Sequence, residues 1–399
     1  MKRIFLPLLI ACALVSIPAG YSSSIRSPQT VAGSGVKPGR DDGSGWALLP
    51  FSKLDEVNPI LQPAATLWDC PLAGGPVAWE SLATYNPAAV VRDGRVWLLY
   101  RAQDTGNRTS RLGLASSTDG IHFTRLPRPV FYPDRDAMRP YEWPGGCEDP
   151  RLIEDERGTY YLTYTTYDGK VARLAVASSP DLMRWTKYGL AFGADGRYRD
   201  LWSKSGAVVG RRKGQRIVAT KLNGKYWMYW GDKNIHAATS DDLIHWSPVE
   251  LPAGAPPAKS EAGAGATPGS ERLVRVLEPR PGKFDSDLAE PGPYALLTAK
   301  GILLVYNGRN YGAKRDPSLP EAAYTVAQAL LDPREPTRVL ERMDHWFLKP
   351  DREFERRGQV SEVVFAEGLV PFGKKWFLYY GTADSRIGVA VCETGKAIR

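Results

Sequence analysis

The chain has 399 residues, of which 43% are hydrophobic and 24% charged, and its formal net charge is +8. This composition is ordinary for a globular protein, and the length is sufficient for a large core. Basic residues are interspersed with Asp and Glu instead of forming a run. The positive charge therefore indicates a solvated surface and excludes a nucleic-acid-binding footprint.

The N-terminal residues have the pattern of a targeting segment. Lys2-Arg3 precede an apolar run from Ile4 to Ile17, and the small residues Ala19-Gly20 follow. The pattern predicts a secretory signal peptide over residues 1–20, whose removal leaves a net charge of about +6. Lipidation at Cys12 is the alternative, but the apolar run continues beyond that residue and favours ordinary cleavage. We therefore expect a secreted or periplasmic protein with no stable membrane span.

Cysteine and histidine usage limits the chemistry. The chain has four cysteines, and because Cys12 lies in the signal, the remaining three allow at most one disulfide. None of the four histidines has metal-site spacing. The sequence therefore does not support a zinc hydrolase or a Ser-His-Asp enzyme, and it predicts no cofactor. It carries no signal for oligomeric state.

An eight-residue pattern occurs three times. The copies are Ser117–Thr124, Ser179–Thr186 and Ser240–Ser247, and their aspartates are 62 and then 61 residues apart. Each copy follows a short strand-like run that is itself preceded by an aromatic strand. The unit is a small antiparallel sheet closed by an Asp-capped turn. Tandem units of this size predict a β-propeller.

Two divergent units, over 291–327 and 375–391, bring the count to five. The predicted fold class is all-β, a five-bladed β-propeller that forms one catalytic domain over residues 46–399. Residues 46–70 are expected to complete the last blade. The Ser/Gly/Pro/Arg-rich residues 21–45 are typical of a flexible leader.

In a propeller, the equivalent strand starts of all blades converge on one end of the central channel. This convergence is expected to gather Asn86, Asp149, Lys204, Glu290 and Asp384 around one pocket. Asp149 lies in the hexapeptide Gly146–Arg151, where strand alternation predicts that Glu148 and Asp149 point in opposite directions. Asp149 would then face the channel and Glu148 the blade wall. The alternative for the hexapeptide is a turn with a structural Asp-Arg pair.

Four motifs, in order along the blades, resemble glycoside hydrolase family 130, five-bladed propellers that cleave β-mannosides. The motifs are Tyr85–Ala89, Tyr100–Asp104, Gly146–Arg151 and Tyr379–Asp384. The resemblance covers roughly residues 46–395. The family contains inverting phosphorylases and inverting hydrolases.

The resemblance implies that Asp149 is the acid and acts through the mannose 3-hydroxyl. It implies that Asn86, Arg101 and Asp384 hold the mannose, and sugar hydroxyls do need charge-assisted partners of these types. Asp104 and Arg151 lie in the same motifs and are further candidate substrate-binding residues.

The acceptor is a separate question. A phosphorylase needs cations for phosphate, whereas an inverting hydrolase needs a carboxylate that activates water. Asp232 and Glu290 resemble the carboxylate pair of the hydrolase branch of the family. In that branch the residue at the position of Asp232 is a glutamate. Because the Asp232 side chain is shorter, Glu290 is favoured as the base. A turn residue is the alternative for Asp232. Asn307 stands where phosphorylases tend to have a histidine, and it is a further candidate substrate-binding residue. Lys204 and Lys221 are candidate ligands on the aglycone side, or the remnant of a phosphate site.

The sequence thus predicts an inverting, exo-acting glycoside hydrolase that releases mannose from β-mannosides, with a β-1,2 linkage favoured. Its expected partner is a β-mannoside oligosaccharide or glycan. A β-mannoside phosphorylase that forms mannose 1-phosphate is the first alternative, and a non-catalytic glycan-binding propeller is the second. Glu362 and Glu367 are backup candidates that are predicted to lie at the surface or a blade edge.

Overall fold

A computed structural model describes residues 45–193, 196–258 and 270–393. The predicted signal peptide and all but the last residue of the predicted leader lie outside these ranges. The described chain is almost entirely β-structure, and it forms the predicted five-bladed β-propeller. No helix in the described ranges is long and apolar enough to cross a membrane.

Each blade is built from antiparallel strands. Blade 1 contains Ala83–Arg92, Arg95–Gln103, Ser110–Ser117 and Thr124–Arg125. Blade 2 contains Gly146–Glu154, Tyr160–Tyr167, Ala172–Ser179 and Thr186–Leu190. Blade 3 contains Ala207–Lys213, Arg216–Ala219, Tyr226–Trp230, Ile235–Ser240, Trp246–Pro248 and Arg275–Leu277. Blade 4 contains Leu288–Pro291, Ala295–Leu297, Ile302–Asn310, Ala323–Leu331 and Val339–Arg342. Blade 5 contains Val364–Phe372, Lys375–Thr382, Arg386–Glu393 and Ser52–Lys53.

The remaining elements lie outside the blades. A hairpin, Ala64–Cys70 and Gly75–Glu80, precedes blade 1. The helices Arg139–Glu142 and Glu353–Arg356 and the 3₁₀ turn Ser270–Arg272 are each a single turn.

The three repeat copies form the same turn in blades 1, 2 and 3. Asp119, Asp181 and Asp242 each accept hydrogen bonds from the backbone N–H groups two and three residues further on, at 2.8–2.9 Å. The His122 and His245 rings contact the aspartate of their own copy, at 2.7 and 2.8 Å between Nδ1 and Oδ2. Both histidines therefore belong to the turn and not to a functional site.

The innermost strands of blades 1, 2 and 5 are each interrupted by a β-bulge at the channel. The residues without a cross-strand partner are Asn86, Asp149 with Pro150, and Glu367. Asn86 and Asp149 have φ values of 46° and 45°, a left-handed conformation that Asn and Asp tolerate better than most residues. A bulge redirects a side chain out of the strand's regular alternation. The three bulges therefore place Asn86, Asp149 and Glu367 on the channel.

Blade 5 is closed by part of the N-terminal segment predicted to complete it, whereas Ala64–Cys70, also in that segment, pairs with Gly75–Glu80 outside the blades. Ser52 and Lys53 pair with Val391 and Ala390. The buried Lys53 ammonium lies 2.6 Å from the fully buried Glu355 carboxylate. The two ends of the described chain are thus joined by a strand pair and a buried ion pair.

We expect Lys53→Met to lower the free energy of unfolding by about 3 kcal/mol, because it leaves the buried Glu355 without its cation. Chemical denaturation monitored by tryptophan fluorescence measures the change. Lys213→Met is the matched control, since Lys213 pairs with Glu156 at the surface and its loss should leave the midpoint in place. Equal midpoints for the two variants would contradict the role given to Lys53.

Candidate active site

Two adjacent carboxylates bind the same guanidinium at the channel end of blade 2. Arg101 Nη1 donates to Asp149 Oδ1 at 2.9 Å, and Arg101 Nη2 donates to Glu148 Oε1 at 2.6 Å. Asn86 Nδ2 also donates to Asp149 Oδ1, at 2.9 Å. The prediction that Glu148 and Asp149 point in opposite directions is therefore wrong, because the bulge at Asp149 breaks the strand alternation on which it rested.

The environment separates the two acids of this pair. Burial would raise the pKa of Asp149, but Arg101, Lys204 and Arg151 outweigh it and hold the pKa well below its usual range. Burial raises the pKa of Glu148, with Arg101 opposing the rise. Within this coupled pair the charges thus favour Asp149 as the ionised member and Glu148 as the member that takes up a proton.

Asp384 approaches the same cluster from blade 5. Burial raises its pKa to about 6, while Arg101 opposes the rise and Asp149 adds to it. Gly381 lies in the same motif, and a Cβ at that position would overlap the Asn86 amide oxygen. The glycine therefore allows blades 1 and 5 to approach closely enough to bring Asn86 and Asp384 to one site.

A cavity of about 360 Å³ lies beside this cluster, between blades 3 and 4. Its lining includes Trp202, Lys204, Asp232, Glu290, Arg309 and Tyr324. Lys204 connects the cavity to the cluster, because its Nζ lies 3.6 Å from Asp149 Oδ2. Burial alone would lower the pKa of Lys204, but Asp149 and Glu290 raise it above its usual value. Lys204 is therefore a permanent cation between the two groups of carboxylates.

Two carboxylates face this cavity, and each is held by a neighbour from the segment before blade 3. Asp232 Oδ2 accepts a hydrogen bond from the Trp202 indole at 2.7 Å. Glu290 Oε1 accepts one from the Ser205 hydroxyl. Burial raises the pKa of Glu290 to about 7, with Lys204 opposing the rise and Asp232 adding to it. Glu290 is thus poised to gain or lose a proton near neutral pH.

Arg151 is not brought to the cavity, contrary to the prediction that it binds substrate. Its side chain is 2% exposed, and its N–H groups are taken up by backbone carbonyls. Nη1 donates to the Asp149 carbonyl at 3.0 Å, Nη2 to Pro291 at 2.9 Å and Nε to Gly292 at 3.0 Å. A buried guanidinium with these partners supports the site from beneath.

Asn307 is likewise a structural residue and not a substrate ligand. It is fully buried, donates to the Ala366 carbonyl at 3.1 Å and accepts from the Ala366 N–H at 2.8 Å. This pair of bonds ties blade 4 to blade 5. Glu367, which directly follows Ala366, is 2% exposed and lies on the channel. The prediction that it lies at the surface or a blade edge was therefore wrong.

Asp104 and Lys221 also lie away from the cavity. Asp104 caps a turn through the Asn107 N–H at 2.7 Å and pairs with Arg111 at 2.6 Å. Lys221 is exposed, and its ammonium lies 4.9 Å from the centre of the Tyr226 ring. Asp104 was a candidate because of its motif, and Lys221 because of its charge. Neither residue lines the cavity.

Sequence reasoning missed Trp202 and Ser205, which orient the two cavity carboxylates. Both lie within two residues of Lys204, in the segment that leads into the innermost strand of blade 3. Their position at the entrance of a blade could have identified them, because the other candidate site residues lie at the entrances of their own blades. Ser205 also has a φ of 59°, which is unusual for serine and typical of backbone held at a functional site.

No group of three His, Cys, Asp or Glu side chains in the described ranges could hold a metal ion. Cys70, Cys147 and Cys392 are buried, and none of the three forms a disulfide within the described ranges.

Comparison with known proteins assigns the family. A family model described as beta-1,4-mannooligosaccharide phosphorylase matches residues 52–398. The chain belongs to glycoside hydrolase family 130. Members of family 130 are mannoside phosphorylases or hydrolases, so an enzyme acting on mannosides is supported.

Individual relatives fall on both sides of that division. A glycosyl hydrolase from Bacteroides ovatus is 44% identical, with a TM-score of 0.81 over 89% of this chain and 96% of that chain. Another solved structure is 42% identical, with a TM-score of 0.82 over 88% of this chain and 96% of that chain. It is described with the words "The GH130 family of mannoside phosphorylases contains glycoside hydrolases that target beta-1,2 mannosidic linkages in Candida mannan". A 1,2-beta-oligomannan phosphorylase from Thermoanaerobacter is 28% identical over 87% of this chain and 98% of its own length.

Ser205→Ala should raise the pKa of Glu290 above about 7, because it removes a hydrogen bond that favours the carboxylate. Carboxyl ¹³C NMR of glutamate-labelled protein measures the titration, with the Glu290 signal assigned by its loss in Glu290→Gln. Ser203→Ala is the matched control, since the Ser203 hydroxyl bonds only to backbone groups. An unchanged Glu290 midpoint in Ser205→Ala would show that Ser205 does not stabilise the carboxylate.

Proposed function

We propose that the protein is an inverting, exo-acting β-mannosidase that hydrolyses β-1,2-linked mannosides. The observation that carries this proposal is the pair of carboxylates, Asp232 and Glu290, facing one cavity beside Lys204. Inverting hydrolysis needs a carboxylate to activate water on the face of the sugar opposite the acid. Above a pH of about 7, where Glu290 is ionised, two carboxylates at the acceptor side would also repel phosphate.

The proposal gives each side of the site one task. Asp149 is the acid and acts through the mannose 3-hydroxyl, while Asn86, Arg101 and Asp384 hold the mannose. Glu290 is the base, because Ser205 orients it and its pKa of about 7 suits proton exchange at neutral pH. Asp232, held by Trp202, helps to orient the water.

Proton balance constrains this mechanism. The acid must carry a proton and the base must lack one when the glycosidic bond breaks. In the substrate-free enzyme Asp149 is ionised, whereas Glu290 keeps its proton up to a pH of about 7. Substrate binding must therefore be accompanied by protonation of Asp149.

Two further observations favour water as the acceptor. The relative linked to hydrolases of β-1,2-mannosidic linkages is 42% identical, and the oligomannan phosphorylase is 28% identical. The signal peptide proposed over residues 1–20 would export the protein to a compartment where phosphate is unreliable and a sugar phosphate would be lost. Mass analysis of the exported protein, with cleavage near residue 20 expected, tests this localisation.

A β-mannoside phosphorylase is the second candidate. It is favoured by the cations Lys204 and Arg309 in the cavity lining, since a phosphorylase needs positive charge for phosphate. Arg309 is, however, paired with Asp287 and lies near Tyr324. Formation of mannose 1-phosphate would establish this function in place of hydrolysis.

We expect β-1,2-mannobiose to be cleaved in phosphate-free buffer, with α-mannose as the first product by NMR. Asp149→Asn and Glu290→Gln should each lower kcat about a thousandfold, because each removes a proton-transfer group. Glu335→Gln, which alters an exposed carboxylate on blade 4, is the control and should retain full activity. A phosphate requirement, or β-mannose as the first product, would refute the proposal. Mannoside binding without turnover would instead identify a glycan-binding propeller.

The pH dependence should follow the proton balance. We propose that Asp149 takes its proton from Glu290, so kcat/KM should fall about tenfold per pH unit above a pH of about 7, where Glu290 is deprotonated in the free enzyme. Initial rates on β-1,2-mannobiose from pH 5 to 9, in buffers of constant ionic strength, measure the profile. A rate that rises through pH 7 and remains high would show that Asp149 carries its own proton in the free enzyme.

A further inference from the structure

Arg151 crosses the channel beneath the proposed acid and base. One of its three backbone acceptors is the carbonyl of Asp149 itself, on blade 2. The other two are the carbonyls of Pro291 and Gly292, which directly follow Glu290 on blade 4. A single rigid guanidinium is therefore bonded to both walls of the site.

Glu367 reaches this guanidinium from blade 5. It occupies the bulge of its innermost strand, the position that Asn86 and Asp149 occupy in blades 1 and 2. Its Oε1 lies 3.6 Å from Arg151 Nη1, and within the described residues neither carboxyl oxygen has a hydrogen-bond partner. The carboxyl group is thus buried on the channel and forms an ion-pair contact with the Arg151 guanidinium.

We propose that Arg151 and Glu367 are positioning residues that form a strut across the channel and fix Asp149 relative to the wall that carries Glu290. Inverting hydrolysis needs about 6.5–9.5 Å between its two carboxyl groups, so that water fits between the base and the sugar. In this propeller, acid and base stand on different blades, and in the described ranges their two strands do not pair with each other. Arg151 provides a direct link between those segments.

Glu367 performs this role as a neutral acid. Burial raises its pKa well above the usual value, Asp149 and Glu290 add to the rise, and Arg151 and Arg101 oppose it. A neutral carboxyl beneath Arg151 leaves the guanidinium charge available to Asp149. The assignment of acid and base rests on the proposed function, whereas the strut itself does not depend on which acceptor is used.

The test compares Arg151→Lys and Glu367→Gln with the wild-type enzyme. An ammonium lacks the planar fork that reaches three carbonyls, so Arg151→Lys should lower kcat about a hundredfold and leave KM within about threefold. Glu367→Gln keeps the neutral shape and should stay within about threefold of wild-type kcat. Arg272→Lys is the matched control, because Arg272 also donates to three carbonyls, all of them in one loop, and it should retain wild-type kcat.

Calorimetric titration with mannose counts intact sites, which separates mispositioning from unfolding. Arg151→Lys with full binding stoichiometry and normal kcat would overturn the strut. A hundredfold loss in Glu367→Gln would also overturn the positioning role, since it would mean that Glu367 transfers a proton. If Arg151→Lys does not fold, Glu367→Ala takes its place, with a tenfold loss of kcat expected and an unchanged kcat overturning the strut.

The kcat ratio of variant to wild type is measured with whichever acceptor the wild-type enzyme uses, water or phosphate. If the wild-type enzyme turns over only with phosphate, the proposed function is refuted. The strut is then still tested by the ratio of the Arg151→Lys kcat to the wild-type kcat. A wild-type enzyme that hydrolyses normally, together with an unaffected Arg151→Lys variant, refutes the strut alone.

Discussion

The site depends on buried carboxyl groups being held against a few buried cations. Charges removed from water are costly unless they are paired and hydrogen-bonded. Arg101 holds Glu148 and Asp149, and Lys204 stands between Asp149 and Glu290. The propeller makes this arrangement possible because every blade contributes its innermost strand to one channel, so that residues far apart in sequence come together.

This distribution of charge also sets the order of the proton affinities. The same cations that stabilise Asp149 make it a poor proton donor in the substrate-free enzyme, although the mechanism requires an acid there. Glu290 has a weaker cation environment and a raised pKa. Asp149, the proposed acid, thus has the lower proton affinity, and Glu290, the proposed base, has the higher. Substrate binding must reverse this order.

Local sequence predicted the blades and much of the site. The repeated Asp-capped turns fixed the architecture, because their spacing matches one blade, and the blade entrances then selected Asn86, Asp149, Lys204 and Glu290. What could not be predicted depends on tertiary contacts. Strand alternation fails at a bulge, so the shared guanidinium of Glu148 and Asp149 was not expected. Arg151 and Asn307 have the residue types of sugar ligands, yet both bind backbone from other blades, which only the packed propeller reveals.

Competition between water and phosphate at the wild-type enzyme tests the central claim most directly. β-1,2-Mannobiose is turned over in H₂¹⁸O with an excess of phosphate, and the products are analysed by mass spectrometry. If Asp232 and Glu290 make the cavity a site for water, one ¹⁸O enters the anomeric position of the released mannose and no mannose 1-phosphate forms. Mannose 1-phosphate as the main product, with the label absent from the released mannose, would contradict the account.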